Sequence, residues 1–203
     1  MSARVPTLLA GLALSAIATG ASPGAARSGT ACGVRVTGVR IVGPGGRTLY
    51  REPGHWSPGY RRPHVVRCSG SSVWVVWDNG VASNQEGYVG VHSADGGRTW
   101  KLVFAESYFG VTAPHELDAY LGPWTLRGPR HAYFTGRCPA CGRGTVSLWV
   151  TADSGKTFRR YAVPALTGYV PTRIRAWRRA VTIWATRFAT GVPPRRTVTV
   201  HLS

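Results

Sequence analysis

Three residues that could transfer protons or bind a metal stand together in the segment PHELDAY. His115, Glu116 and Asp118 combine an imidazole with two carboxyl groups, which serve in acid–base catalysis and in metal ligation. The spacing HExD differs from the HExxH helix motif of zinc enzymes, and the other histidines are scattered singly along the chain. A solvated loop in which the acids offset nearby arginines is the alternative interpretation. We expect neither a metal ion nor a cofactor.

One short turn occurs twice, as SADGGRTW at 93–100 and, 58 residues later, as TADSGKTF at 151–158. The aspartate of such a turn accepts hydrogen bonds from backbone N–H groups a few residues further on, and the glycine supplies a positive φ. The final Trp or Phe anchors the hairpin on an apolar surface. These architectural roles fall to Ser93, Asp95, Gly97, Thr99, Trp100, Thr151, Asp153, Gly155, Thr157 and Phe158.

The segments around these turns have the composition of β-strands. Runs such as SSVWVVWD, GYVGVHS, TVSLWVT and AVTIWAT are short, rich in β-branched and aromatic residues, and separated by Gly, Pro, Asn and Ser. A degenerate copy of the turn, GPGGRT, lies 51 residues before the first full copy and lacks the aspartate. The sequence therefore predicts an all-β fold built from repeats of strand, tight turn and strand.

The repeated turn resembles the Asp-box, or BNR, repeat of sialidases and other β-propeller proteins. Both copies match the pattern S/T-x-D-x-G-x-T-W/F. In that family the box joins the outer two strands of a four-stranded antiparallel blade, so the resemblance implies sialidase-like propeller blades. About three blades fit, near residues 33–110, 111–166 and 167–203, and the N-terminal strands either complete the last blade or start a partial one. A propeller closes with at least four blades, so we expect an incomplete propeller. It would be completed by a homodimer, be a relic of a longer gene, or pack its sheets as a compact non-propeller body in which the disulfides compensate.

The chain is strongly basic, with a formal net charge of +17 from 25 Lys and Arg against 8 Asp and Glu. Such a surface attracts polyanions, including anionic polysaccharides, cell-wall polymers and nucleic acid. Because only the charge points to nucleic acid, we do not expect it to be the physiological ligand. The densest basic cluster, at residues 173–179, has a purely structural alternative, in which its arginines simply alternate outward on a half-buried strand. The predicted polyanion contact comprises Arg173, Arg175, Trp177, Arg178 and Arg179.

The N terminus predicts export. Residues 1–26 combine one early arginine, an apolar run and small residues, which is typical of a secretory signal peptide cleaved after Ala21 or Ala26. Residues 27–203 would then form the Asp-box domain, in which no stretch is apolar enough for a membrane span. Four cysteines fit an oxidising compartment, where three pairings are possible. The preferred disulfides are Cys32 with Cys68 and Cys138 with Cys141.

These features favour a secreted, non-catalytic binding or scaffold module whose ligand is an anionic glycan or a cell-envelope polymer. The alternative is a sialidase-type glycosidase, either degenerate or assembled as a dimer. That chemistry requires an arginine cluster, a tyrosine activated by a glutamate, and an aspartate that transfers the proton. The family's N-terminal aromatic-Arg-Ile-Pro element is missing, since the sequence TRIR at 172–175 matches only its Arg-Ile and lies at the opposite end. No active-site residue of the family can therefore be assigned.

Overall fold

The computed structural model describes residues 32–53, 63–82, 85–107, 110–138, 144–187 and 195–203. The proposed signal peptide at 1–26, with its cleavage positions Ala21 and Ala26, lies outside these residues, as does Cys141. Within the described ranges, no helix has both the length and the apolar character needed to cross a membrane.

The described residues contain fourteen strands in four antiparallel sheets, and none of these sheets is closed. In every sheet the strands pair in chain order, as expected when short turns connect neighbours. The all-β prediction is confirmed. The first sheet contains β1 (Arg35–Thr37), β2 (Arg40–Val42) and β3 (Thr48–Arg51); the second contains β4 (His64–Ser69), β5 (Ser72–Ala82), β6 (Gln85–Ser93) and β7 (Lys101–Ala105); the third contains β8 (Tyr120–Leu126), β9 (Ala132–Cys138), β10 (Thr145–Thr151) and β11 (Arg159–Ala162); the fourth contains β12 (Tyr169–Ala176), β13 (Ala180–Arg187) and β14 (Arg195–His201).

The sheets pack face to face in chain order, with one apolar core between each successive pair. Strand β5 shows how the sequence produces this arrangement. Its alternating residues point to opposite faces of the sheet. Val75 and Trp77 therefore enter the core against the first sheet, while Trp74 and Val76 enter the core against the third. A strand that is apolar at every position, as VWVVW is, belongs in a sheet that is covered on both sides.

The N-terminal strands form a sheet of their own. Val34, Val36 and Ile41 project from this first sheet into the core that it shares with the second. Residues 33–110, which the sequence suggested as one unit, therefore hold two sheets. The structure has these strands as a separate three-stranded sheet, and Val36 of β1 and Ile41 of β2 pack it against the second sheet.

A disulfide ties the first two sheets together. Cys32 precedes β1 and is bonded to Cys68 on β4, with a Cα–Cα distance of 5.8 Å across a sequence separation of 36 residues. The predicted pair is confirmed. Cys138 is also disulfide-bonded, and its predicted partner Cys141 falls outside the described residues.

Candidate functional site

The three candidate residues of PHELDAY do not converge on one point. The His115 ring packs against the Phe158 ring at a centroid distance of 5.0 Å, and its Nε2 lies 3.0 Å from the carbonyl oxygen of Lys156. Asp118 is buried elsewhere and forms an ion pair with Arg160, with Nη2 3.4 Å from Oδ1. Glu116 is exposed. No group of three or more His, Cys, Asp or Glu side chains suited to a metal ion occurs in the described part of the chain.

We call the two copies of the repeated turn, at 93–100 and 151–158, the first and the second box. The first box joins β6 to β7, and its aspartate organises the turn. Asp95 Oδ1 accepts hydrogen bonds from the backbone N–H groups of Arg98 and Thr99 at 3.0 and 2.9 Å. Its Oδ2 accepts the Thr99 hydroxyl at 2.6 Å. The Ser93 hydroxyl donates to Asp95 and accepts the N–H of Gly97. The hydrogen bonds from Thr99, which have the largest effect, and the one from Ser93 hold the pKa of Asp95 well below its usual range.

The second full box, at 151–158, joins β10 to β11 and has the same hydrogen bonds. Thr157 donates to Asp153 from its backbone N–H at 3.0 Å and from its hydroxyl at 2.6 Å. Thr151 takes the place of the serine, and its hydroxyl lies 2.8 Å from both Asp153 Oδ1 and the Gly155 nitrogen. Burial alone would raise the pKa of Asp153, but the hydrogen bonds outweigh it and hold the pKa at about 2. Both aspartates are fully engaged in shaping the turn.

Each box glycine also packs on the preceding sheet. Gly97 has a φ of +89°, and a Cβ on it would meet the Val34 side chain of the first sheet at 2.5 Å. Gly155 has a φ of +83°, and a Cβ there would meet Val103 and Trp74 of the second sheet at 2.6 and 2.8 Å. The glycine is therefore required for the backbone conformation and for the close approach of two sheets.

The outward face of the fourth sheet carries arginine, tryptophan and threonine. Arg173 pairs across the strands with Trp184, and its guanidinium lies 5.0 Å from the centre of that ring. The guanidinium of Arg175 lies 4.0 Å from the ring of Trp177. We call this surface the Arg–Trp face. Its members, which follow from the strand register and alternate with the buried residues, are Arg173, Arg175, Trp177, Thr182, Trp184, Thr186, Arg195, Thr197 and Thr199.

The predicted basic cluster at residues 173–179 divides between two places. Arg173, Arg175 and Trp177 lie on the Arg–Trp face, whereas Arg178 and Arg179 form the tip of the hairpin between β12 and β13. Sequence reasoning missed Trp184, which lies on the neighbouring strand. Its position could have been found from the alternation in AVTIWATR, which sets Trp184 in phase with Thr182 and Thr186 and out of phase with the buried Ile183.

A cleft of about 340 Å³ opens between the second and third sheets. Its polar lining includes two acids, Asp78 on β5 and Glu86 on β6, which lie on either side of a break in the β5–β6 register. Arg67 on β4 covers the ring of Trp124 at 5.1 Å. The remaining lining residues are Pro63, His64, Val65, Val76, Trp77, Tyr88, Leu121, Gly122 and Pro123.

Glu86 is the most perturbed acid of the cleft. Burial, reinforced by the charge of Asp78, raises the pKa of Glu86 to about 7, although two interactions act in the opposite direction. These are the hydrogen bond that Glu86 Oε2 accepts from the N–H of Leu121, at 2.8 Å, and the charge of Arg137. A carboxyl whose pKa lies near neutrality in a cleft is a candidate functional group. Sequence reasoning counted Glu86 and Asp78 only as available acids, because their proximity depends on how β5 and β6 pair.

A second pocket of about 210 Å³ adjoins the cleft, and Glu86 lines both. It also contains Tyr120 and Arg137, with the guanidinium 4.4 Å from the centre of the tyrosine ring. Tyr88, by contrast, is part of the core. Its hydroxyl donates to the carbonyl oxygen of Asp118 and accepts the N–H of Leu117, and burial raises its pKa.

No protein-family model, no curated protein and no solved structure matches this chain. Evidence for a function must therefore come from the surfaces and clefts described above.

Proposed function

We propose that this protein is an exported, non-catalytic Asp-box module that holds an anionic glycan or cell-envelope polymer on the Arg–Trp face. The charge distribution carries the proposal. The last acidic residue of the sequence is Asp153, and the 50 residues after it contain ten Lys and Arg and no Asp or Glu. The fourth sheet is therefore a basic surface with no acid of its own.

The geometry of the face suits an extended polymer. Residues two apart on a strand lie about 7 Å from each other, and neighbouring strands lie about 4.8 Å apart. Arg173 and Arg175 therefore stand at a spacing that successive charged groups of a polysaccharide can match. Trp177 is 45% exposed and offers an apolar surface beside them. Stacking of a guanidinium on a tryptophan ring leaves its N–H groups free to contact carboxylate or sulfate.

A homodimer that completes a propeller ring remains the other partner hypothesis. The outward face of the first sheet carries Arg35, Arg40 and Arg51. Ring closure would bring this face against the Arg–Trp face of a second copy, and like charges in direct contact oppose association. We therefore favour an anionic ligand over a second copy as the occupant of the fourth sheet.

The test compares two double variants with the same change in charge. Arg173→Gln with Arg175→Gln alters the Arg–Trp face, and Arg35→Gln with Arg40→Gln alters the first sheet, whose described residues 32–53 include no tryptophan. Binding of heparin, polygalacturonate and duplex DNA would be measured at several salt concentrations. We expect the first double variant to weaken polysaccharide binding about tenfold at about 0.15 M salt, and the second to weaken it about twofold.

Equal losses in the two double variants would show that the charge acts diffusely, and the proposal would then fail. Tighter binding of DNA than of either polysaccharide would favour the nucleic-acid alternative. Light scattering on the same samples reports the oligomeric state, and a dimer that persists without ligand would support the ring.

A sialidase-type glycosidase is the second candidate, and the pocket that brings Tyr120, Glu86 and Arg137 together favours it. A tyrosine beside a glutamate and an arginine is the kind of grouping that this chemistry uses. Hydrolysis of a fluorogenic sialoside would support it if Tyr120→Phe and Glu86→Gln each abolished turnover. Turnover that survives both changes, or no turnover by the unchanged protein, would count against it.

A further inference from the structure

The cleft between the second and third sheets is separate from the Arg–Trp face and has a different chemistry. The face has no acid, whereas the cleft contains two carboxyl groups, Asp78 and Glu86. Its volume of about 340 Å³ lies at the lower end of the range typical of small-molecule sites, about 300–1,000 Å³. The cleft is therefore large enough for a small ligand and too small for a protein segment with its own fold.

Both acids are held in place by backbone N–H groups. Asp78 Oδ1 accepts from the N–H of Gly80 at 2.8 Å, and Glu86 Oε2 accepts from the N–H of Leu121 at 2.8 Å. A carboxylate offers about four acceptor positions, so a single backbone donor leaves capacity for a ligand. The fixed orientation means that a ligand donor meets an acceptor that is already positioned, which lowers the entropic cost of binding.

Apart from Arg67 and His64, the rest of the lining is aliphatic or aromatic. Pro63, Pro123 and Leu121 contribute aliphatic surface, and Arg67 and His64 contribute nitrogen atoms. An anion would be repelled by the two carboxyl groups, and a cation would have to approach a chain whose formal net charge is +17. An uncharged ligand with several hydroxyl donors and an apolar face fits both conditions.

We propose that this cleft binds a neutral sugar, with Asp78 and Glu86 accepting hydrogen bonds from its hydroxyl groups and the proline and leucine side chains packing against its C–H face. The proposal does not depend on the Arg–Trp face. Polyanion binding there weakens steeply with salt, whereas hydrogen bonds from an uncharged sugar respond little to salt.

Binding of the sugar should also depend on pH. The charged and titratable groups around Glu86 are Asp78 on β5, Arg137 on β9, Tyr120 on β8, Tyr88 on β6, and His64 and Arg67 on β4. Without ligand, burial and Asp78 place the pKa of Glu86 at about 7. Hydroxyl donors favour its ionised form, so affinity should rise as the pH increases through about 7 and level off above it.

The experiment uses cellotriose, maltotriose and N-acetylchitotriose as probes, followed by isothermal titration calorimetry and by NMR chemical shifts. We expect at least one of them to bind with a Kd below about 10 mM at both low and high salt. Asp78→Asn with Glu86→Gln should weaken that binding about tenfold, and Glu86→Gln alone should remove the rise with pH. Arg173→Gln with Arg175→Gln is the control and should leave sugar affinity unchanged.

Three results would overturn the proposal. They are no binding of any probe to the unchanged protein, binding that the double acid variant leaves intact, and chemical shift changes confined to β12–β14, which would place the sugar on the fourth sheet. Because the polyanion test alters residues of the fourth and first sheets only, either proposal can fail while the other stands.

Discussion

The two middle sheets and the two end sheets of this protein differ in how many of their faces are buried. The second and third sheets have four strands each and bury apolar side chains on both faces. The first and fourth have three strands each, and they bury one face and expose arginines on the other. An open array of sheets would otherwise end in apolar surfaces that promote aggregation. The arginines on the outward faces of the first and fourth sheets keep these faces soluble although no further sheet of the described chain covers them.

The acids follow the same division. Asp78, Glu86, Glu106 and Asp118 lie in the second and third sheets or in the segment between them. The fourth sheet has no acid, and the first has one beside it, the buried Glu52 after β3. Cationic residues on the end sheets and carboxyl groups between the middle sheets are the basis of the two binding proposals. If both hold, polyanion binding on the Arg–Trp face depends on salt, and sugar binding in the cleft depends on pH.

The largest contrast should appear when one tryptophan is removed from each kind of sheet. Trp74 is 1% exposed and touches the rings of His92, Phe104 and Phe134, so Trp74→Ala should lower the free energy of unfolding by about 3–5 kcal/mol. Trp177 on the Arg–Trp face is 45% exposed, and Trp177→Ala should cost under about 1 kcal/mol. Urea unfolding of both variants measures the difference. Similar losses would mean that the fourth sheet is covered in solution, as a ring of two copies requires.

A second contrast concerns the turns. Gly155→Ala adds a methyl group where it would meet Val103 and Trp74, at a φ of +83°, so it should destabilise the protein by about 3 kcal/mol. Gly45 lies in the degenerate turn of the first sheet at a φ of +74°, and among the described residues beyond its chain neighbours no atom comes within 4 Å of the added carbon. Gly45→Ala should therefore cost about 1 kcal/mol, the backbone contribution alone. If thermal unfolding showed equal losses, the box glycine would matter only for its φ and not for the contact between sheets.

Features that depend on neighbouring residues could be predicted from the sequence, whereas most features that depend on contacts between distant residues could not. The all-β class follows from local composition, and the pairing of Cys32 with Cys68 was one of only three possibilities, so both could be predicted. The cleft could not, because Leu121 is 35 residues from Glu86 and the register break between β5 and β6 is set by sheet packing. The same holds for His115, because its contacts with Lys156 and Phe158 lie about 40 residues away and could not be read from the local pattern PHELDAY.

Long-range contacts also explain why the sequence did not predict the first sheet as a separate unit. The repeat at residues 44–48 was visible in the sequence, but it identifies a turn and not the neighbour on which its strands pack. That choice depends on Val34, Val36 and Ile41 meeting the apolar face of β5. The local sequence was equally consistent with N-terminal strands that complete the last blade and with strands that start a partial one. The sheet that these strands contact is determined by long-range packing.

The smallest of the three stability effects tests the acid of the middle sheets. The folded-state pKa of Glu86, about 7, lies above its ordinary value of 4.5, so the folded protein holds a proton there that the unfolded chain releases. The contribution of Glu86 to stability is therefore fully present below about pH 4.5 and is lost as the pH rises to about 7. Glu86→Gln, which keeps an oxygen for the N–H of Leu121, should match the unchanged protein at pH 4. At pH 8 it should be more stable by about 2 kcal/mol, with allowance for partial solvent exposure.

Urea unfolding at the two pH values measures this difference, and Glu116→Gln, at an exposed acid, is the matched control. A Glu86→Gln variant that is no more stable than the unchanged protein at pH 8 would mean that the ionised carboxylate is well compensated by Arg137 and by solvent. The cleft would then bind a ligand without a proton switch. If Glu86→Gln is more stable at pH 8, as predicted, the buried carboxyl of Glu86 lowers the stability of the protein at that pH. Residues that lower stability in this way are commonly found in functional sites.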